Sequence, residues 1–123
     1  MKLNPDCIRS ILLTLEEYTG FIPAVEISED NFMEFPLLTE YTYTEIVYHI
    51  NQCDYDGYFI ECVRRIDESF LIFDISPKAH KFLSDIRSES NWNAIKAKAK
   101  EIGSNSLPVL TQIATKYLMS KIG

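Results

Sequence analysis

Residues 42–75 read TYTEIVYHINQCDYDGYFIECVRRIDESFLIFDI, and they carry the clearest signals of secondary structure in the chain. The stretch opens with a capping box, T-x-x-E, in which the side chains of Thr42 and Glu45 can each accept a hydrogen bond from the other residue's backbone N–H. Apolar residues then recur at helical spacing as far as Gly57, where a residue without a side chain suits the end of a helix. The pattern predicts a helix over residues 43–55.

Two runs rich in aromatic and β-branched residues follow this helix, at 59–63 and 70–75. Runs of this kind favour strands. The residues between them, 64–69, are RRIDES and are mostly charged. The three segments together predict an antiparallel hairpin with a charged tip. Ser76-Pro77 then opens another helix, because serine caps a helix N-terminus well and proline suits the first turn.

Before this stretch, the sequence predicts a helix over about 5–18. Asn4 can cap this helix, and Pro5 fits its first position. A short edge strand is expected within 21–27, since the proline in that run is tolerated only at the edge of a sheet. Residues 32–38 are apolar but interrupted by a proline, so a strand or an irregular segment is expected there.

Two more helices are predicted near the C-terminus. Ser90 is expected to cap the first of them, Gly103 to end it, and its apolar face to run from Trp92 to Ile102. The last helix is predicted over about 106–121, where leucine, isoleucine and tyrosine recur at helical spacing.

The order of these elements is similar to that of a winged helix-turn-helix domain, an α+β fold with a recognition helix before the hairpin, or wing. Residues 45–60 resemble the E-x-x-x-H-[LI]-x-x-L-x-x-x-G-L-I pattern of bacterial winged-helix proteins. The chain is therefore expected to form a single winged-helix-like domain over 1–123, with its core over 1–88 and a C-terminal helical extension over 89–123. Residues 36–41 are too few for the scaffold helix that this fold normally has before the recognition helix.

Nearly the whole chain resembles an uncharacterised family of small proteins from bacteria and their phages and prophages. Members open with a Met-Lys-x-[Asn/Asp]-x-Asp-x-[Ile/Val]-Arg signature, matched here by residues 1–9. They carry a central Tyr-His-[Ile/Val/Leu] helix, matched by 48–50. They also carry a [Leu/Ile]-[Thr/Ser]-Pro-x-[Gly/Ala]-His-x-Phe-Leu-x-x-Ile-Arg block, matched by 75–87. The resemblance implies a winged-helix fold and a phage link, and it brings no activity with it.

Charge is distributed unevenly along the chain, whose formal net charge is −6. Residues 10–63 contain eleven acidic side chains and no lysine or arginine, whereas residues 64–123 carry ten basic and six acidic ones. Phosphate binding needs cations, and the recognition-like helix lies in the half that lacks them. The first functional hypothesis is therefore a protein that acts by protein–protein interaction with a basic partner. The candidates for that contact are Glu45, Asp54, Asp56 and Glu61.

The alternative hypothesis is a sequence-specific DNA-binding transcriptional regulator that acts as a dimer. Asparagine and glutamine can read adenine in the major groove, and arginines of a wing can enter a minor groove or bind phosphates. The candidate DNA contacts are Thr44, Tyr48, Asn51, Gln52, Arg64, Arg65, Lys78 and Lys81.

The C-terminal helix has more apolar surface than one stripe requires, which indicates burial against a partner. The candidates for a homodimer contact are Leu107, Leu110, Ile113, Tyr117 and Leu118. Packing of the same residues against other helices of the chain stays open as the alternative.

No pattern in the sequence points to an enzyme, a metal or a cofactor. The four glycines form no phosphate-binding loop. His49 has Glu45 and Cys53 one turn away, but the spacing matches no metal motif, and a structural hydrogen bond is the expected role of its imidazole. Ser76 and His80 lack the third group that a catalytic triad needs.

The three cysteines have no paired spacing and are expected to stay reduced as small apolar side chains. The first residues lack the apolar segment of a signal peptide. No run approaches the roughly 20 apolar residues that span a bilayer. A cytoplasmic location without membrane contact is therefore expected.

Overall fold

A computed structural model describes residues 1–20 and 23–122 of the chain. It contains five α-helices and three strands within those residues. In chain order they are α1 (Pro5–Tyr18), β1 (Val25–Ile27), α2 (Tyr43–Tyr55), β2 (Phe59–Arg64), β3 (Phe70–Ile75), α3 (Pro77–Ile86), α4 (Glu89–Ile102) and α5 (Leu107–Ile122). The α+β class predicted from the sequence is confirmed.

The helices begin at the capping residues that the sequence indicates, with one exception. Asn4 accepts a hydrogen bond from the backbone N–H of Asp6, and α2 starts with the complete capping box of Thr42 and Glu45. The exception is α4, which was predicted to be capped by Ser90. Its cap is a serine two residues earlier, Ser88, whose backbone is extended and whose hydroxyl accepts from the N–H of Asn91.

The three strands form one antiparallel sheet in the order β1-β3-β2. The hairpin of β2 and β3 is confirmed, and its register shifts near Glu61. The edge strand expected within 21–27 is found over Val25–Ile27, where Val25 pairs with Ile72 of β3. Phe21 and Ile22, which belonged to that prediction, lie outside the described residues.

Two short 3-10 helices, Phe32–Glu34 and Pro36–Leu38, lie between β1 and α2. They occupy the part of the chain where a helix-turn-helix has its scaffold helix. The strand or irregular segment expected at 32–38 is therefore replaced by two short 3-10 turns, and no α-helix lies between β1 and α2. The cause is Pro36, which can begin a helical turn but removes the N–H that a longer helix through this point would use.

The core surrounds α1, which packs against α2, α3 and β3. Leu38 of the 3-10 segment is fully buried with it. At the far side, α5 packs against α3 and α4, and Leu107 and Leu110 are buried there. Gly103 ends α4 as predicted. Ile102, predicted on the apolar face of α4, is 59% exposed and does not join that face.

Ile102 lies outside the core because of the turn that follows it. Gly103 has a φ of 83°, which is a left-handed conformation that ends the helix and redirects the chain into α5. Within the residues described, no helix is long and apolar enough to cross a membrane.

Candidate functional site

His49 is a structural residue that holds the start of α1 against α2. Its side chain is 1% exposed. Its Nδ1 lies 2.7 Å from the carbonyl oxygen of Glu45, and its Nε2 lies 2.8 Å from the backbone nitrogen of Asn4. The carbonyl can only accept and the amide can only donate, so the proton is on Nδ1. The structural hydrogen bond predicted for this imidazole is confirmed.

The buried imidazole makes the fold sensitive to mild acid. Burial lowers the pKa of His49 below its ordinary value of 6.5, although the bond to the Glu45 carbonyl acts in the opposite direction. The folded state therefore favours the neutral imidazole. The contribution of neutral His49 to the free energy of unfolding is complete above the unfolded pKa of about 6.5 and is lost as the pH falls below it.

We expect the free energy of unfolding to drop between pH 7.5 and pH 5, by at most about 1.4 kcal/mol per pH unit. Urea denaturation at both pH values measures it. His49→Gln should lower stability at pH 7.5 and remove the drop in this window. His80→Gln, which changes an exposed imidazole, should keep the drop. An equal drop in His49→Gln would show that another group is responsible.

Arg64, predicted to contact DNA from the wing, is bound to the recognition-like helix instead. Its Nη2 lies 2.8 Å from Oδ2 of Asp54, and its Nε lies 2.6 Å from Oδ1 of Asn51. Its guanidinium also stacks over the ring of Tyr55, 5.4 Å from the centroid. These contacts fix the orientation of the guanidinium and place a carboxylate beside its charge, although its side chain stays 41% exposed.

Arg65, the second wing arginine, is paired with β1. Its Nη1 lies 2.6 Å from Oε2 of Glu26. No local pattern indicates Glu26 as the partner of Arg65, because the pairing depends on β1 lying beside β3. Tyr43 fixes the same region, since its hydroxyl donates to the carbonyl of Glu68 at 2.6 Å and lies 3.2 Å from that of Ile27.

The two lysines proposed as further DNA contacts are also engaged within the chain. Lys78 donates from Nζ to the backbone carbonyl of Asp56 at 2.8 Å. Lys81 lies 2.6 Å from Oδ2 of Asp85, whose side chain is only 7% exposed. All four basic candidates of the DNA hypothesis therefore have acceptors of this chain within hydrogen-bond distance.

The outward face of α2 is partly covered by the C-terminal extension. Tyr48 and Gln52, two of the candidate base readers, are half-buried. They line a cleft of about 660 Å³ whose opposite wall is the turn between α4 and α5, including Asn105 and Pro108. Thr44 remains exposed at the start of the helix. The α4–α5 turn therefore stands beside two of the side chains that the DNA hypothesis assigns to base reading.

The four acidic candidates differ in their freedom to bind a partner. Glu45 is used by the capping box and Asp54 by Arg64. Asp56 closes the C-terminal end of α2, where the helix dipole adds to its negative charge. Glu61 is exposed on β2, and no ion pair involves it in the described residues. Glu61 is thus the most available of the four, and Asp56, half-buried in the cleft that Tyr48 and Gln52 line, is in no ion pair among the described residues.

The acidic face, defined here as the surface of α2 and the β2–β3 hairpin, is strongly negative. Residues 43–75 contain seven acidic side chains and two basic ones, and both basic ones are the paired arginines. Asp54 and Asp56 stand at the end of α2 where the helix has no basic residue in its last turn. The potential of this face is therefore unfavourable for a phosphate backbone.

The chemistry of the cysteines is suppressed by burial. Burial raises the pKa of Cys7 to about 12 and that of Cys62 to about 11, and it raises the pKa of Cys53 as well. The three thiols are free. Thiols that stay protonated are poor nucleophiles and poor metal ligands. In the part of the chain that the structure describes, no cluster of histidine, cysteine and carboxylate side chains could hold a metal.

Ser76 has a structural role. Its hydroxyl accepts from the N–H of Ala79 as the cap of α3 and donates to the carbonyl of Gly57 at 2.7 Å. His80 is exposed on the same helix. Capping and the tie to the end of α2 account for Ser76.

The candidates for a homodimer contact divide into buried and accessible residues. Leu107, Leu110 and Ile113 are buried within the chain itself. Tyr117 and Leu118 are half-buried. Three of the five candidates are therefore used within the chain, and only Tyr117 and Leu118 leave apolar surface for a partner.

Comparison with known proteins gives a family and no activity. The sequence model of the family described as "Hypothetical protein (DUF2513)" matches residues 2–105. The matched part ends just before α5 begins at Leu107. No curated protein and no solved structure matches the chain.

Proposed function

The chain belongs to the family described as "Hypothetical protein (DUF2513)", and we propose that it acts by binding a basic segment of a protein partner through its acidic face. Asp56 and Glu61 are the proposed contacts, with Glu45 and Asp54 adding to the field around them. A lysine- or arginine-rich segment, such as one that binds nucleic acid in its free state, has the complementary chemistry.

One observation supports this proposal above the others. Both arginines of the hairpin are neutralised by carboxylates of the same chain, Asp54 and Glu26. The charges that a winged-helix protein would offer to a duplex are thereby offset by neighbouring carboxylates. What remains on the face attracts basic groups, and this attraction mainly accelerates association and selects the partner.

The winged-helix interpretation is part of the proposal. The element order and the strand order β1-β3-β2 support it, with α2 in the place of the recognition helix and β2–β3 in the place of the wing. The resemblance to small proteins of bacteria and their prophages suggests a basic host or phage protein as the target. On this view the fold has exchanged a nucleic-acid surface for one that binds proteins.

Charge reversal of the acidic face tests the proposed function. Tagged protein is used to isolate partners from bacterial cells at about 0.1 M and 0.5 M salt, with mass spectrometry to identify them. Basic proteins should be retained at low salt and released at high salt, because exposed charges are screened within about 10 Å at 0.1 M and 3 Å at 1 M. Asp56→Lys combined with Glu61→Lys should reduce retention at least tenfold.

A matched variant controls for net charge. Glu17→Lys with Glu89→Lys changes the charge by the same amount on α1 and α4, where both side chains are exposed. This variant should retain the same partners as the natural chain. Equal retention by all three proteins, or an absence of salt-sensitive basic partners, would refute the proposed site.

The competing candidate is DNA regulation by a dimer. The strand order and the exposed hairpin tip favour it, whereas the engaged arginines and the covered flank of α2 oppose it. The two candidate functions predict opposite results when the natural chain is tested for binding of duplex DNA.

A further inference from the structure

A groove between α4 and α5 lies apart from the acidic face. It has a volume of about 680 Å³ and an apolar floor that includes Ile102, Val109 and Tyr117. Ile102 is 59% exposed, and the floor is therefore open to solvent. Two antiparallel helices with an open apolar channel between them form a surface that fits an apolar segment of another chain.

The rim of this groove is basic. Lys98 and Lys116 line it from α4 and α5. Lys98 is 3.7 Å from Glu101, a weak contact between two well-exposed side chains, and Lys116 is in no ion pair among the described residues. An occupant of the groove should therefore combine apolar side chains with carboxylates.

The chain itself carries a segment with those properties. In the 3-10 segment before α2, Met33 is 57% exposed and Leu37 is 44% exposed. Glu34 lies between them and Glu40 follows Leu37 by three positions, and neither carboxylate forms an ion pair within the described chain. Residues 29–40 contain four acidic side chains and no basic one.

The groove and the segment belong to different parts of the molecule. The segment packs against α1, whereas α5 packs against α3 and α4. Their complementary charges are not paired with each other in one chain, and each surface leaves apolar side chains in solvent. A second copy of the chain can satisfy both.

We propose that the chain self-associates head to tail, with residues 29–40 of one copy docked in the α4–α5 groove of the next. Met33 and Leu37 enter the apolar floor, and Glu34 and Glu40 face Lys98 and Lys116. Such a contact joins two different patches, so it produces a ring if the rotation closes and an open chain if it does not.

The mass of the natural chain in solution is the first test. Light scattering during size exclusion should give 14.2 kDa for the dilute protein and a mass that rises with concentration. The rise should weaken in about 0.5 M salt, because the rim charges are exposed. A constant monomer mass up to millimolar concentration at low salt would end the proposal.

Two variants test the surfaces separately. The groove variant carries Lys98→Glu and Lys116→Glu, and the segment variant carries Met33→Ser and Leu37→Ser. All four side chains are exposed. Circular dichroism of both variants should therefore show the helix content of the natural chain. Each variant alone should remain a monomer at concentrations where the natural chain associates.

A mixture of the two variants distinguishes this contact from any symmetric one. The groove variant keeps an intact segment, and the segment variant keeps an intact groove, so one productive contact per pair remains. The mixture should give a species of twice the monomer mass that grows no further. Failure of the mixture to associate, or association of either variant alone at the natural strength, would contradict head-to-tail docking.

Discussion

Neutralising four carboxylates around the wing is expected to convert this protein into a duplex-binding one. The variant carries Glu26→Gln, Asp54→Asn, Asp56→Asn and Glu61→Gln. It removes the negative charges that Arg64 and Arg65 pair with, and with them four charges that repel phosphates. At about 0.3–1 kcal/mol for each of the four exposed charges, the affinity for DNA should rise by on the order of tenfold to a thousandfold.

Fluorescence anisotropy with a labelled random duplex measures this gain. The variant should bind at about 50 mM salt, and its salt slope should steepen by about two, one unit for each released arginine. A control variant with Glu17, Glu34, Glu40 and Glu89 all changed to glutamine has the same net charge. Because it leaves both arginines paired, its affinity should stay near that of the natural chain. Equal gains in both variants would mean that only net charge matters.

Truncation of Trp92 is expected to give the largest loss of stability among single substitutions at the junction between α4 and the rest of the chain. Its indole Nε1 donates to Oδ1 of Asp6 at 2.8 Å, and the ring packs edge-on against Phe82. Lys96 lies over the ring and reaches the same carboxylate oxygen. Trp92→Ala should lower the free energy of unfolding by about 3–5 kcal/mol, which is a large part of a typical total of about 5–15 kcal/mol.

Urea denaturation followed by circular dichroism measures this loss, since the variant lacks the chain's one tryptophan. If residues 1–123 form a single cooperative unit, one transition should move as a whole. Asn93→Ala, at the exposed neighbouring position, should leave the transition within about 0.5 kcal/mol of the natural one. A transition of residues 1–88 that stays in place while α4 and α5 unfold separately would contradict this expectation.

The carboxylate that Trp92 contacts shows how the N-terminus is tied to α4. Burial would raise the pKa of Asp6, but hydrogen bonds from Lys96 and Trp92 outweigh it and hold the pKa below its ordinary value. On α1, a bidentate pair with Arg87 likewise lowers the pKa of Glu16. Both carboxylates therefore stabilise the fold at neutral pH, and this contribution is lost in acid below their unfolded pKa values.

The elements that the sequence predicted well are those defined by neighbouring residues. The capping box at Thr42 and the Ser76-Pro77 start each depend on contacts within one turn, so a local pattern is sufficient. The start of α4 was misplaced because two nearby serines fit the same local pattern. Ser88 and Ser90 both suit a cap, and the local pattern does not distinguish them; in the structure the cap is Ser88.

The candidate site was less predictable because its decisive contacts join distant parts of the chain. Arg65 and Glu26 are 39 positions apart, and they meet because β1 and β2 both flank β3. Arg64 reaches Asn51 only because the hairpin folds back on α2. The sequence shows a stretch of carboxylates without lysine or arginine. It does not show which of these carboxylates pair with Arg64 and Arg65. The position of α5, which leaves Ile102 exposed, likewise depends on tertiary packing.

The acidic face of α2 and the hairpin should repel DNA because the wing arginines are held by this chain's own carboxylates. Selection of random duplexes by the natural chain at about 50 mM salt measures this repulsion. We expect no enriched sequence and no saturable binding, even at a salt concentration that favours phosphate contacts. An enriched site whose footprint is lost on Asn51→Ala or Arg64→Ala would contradict it.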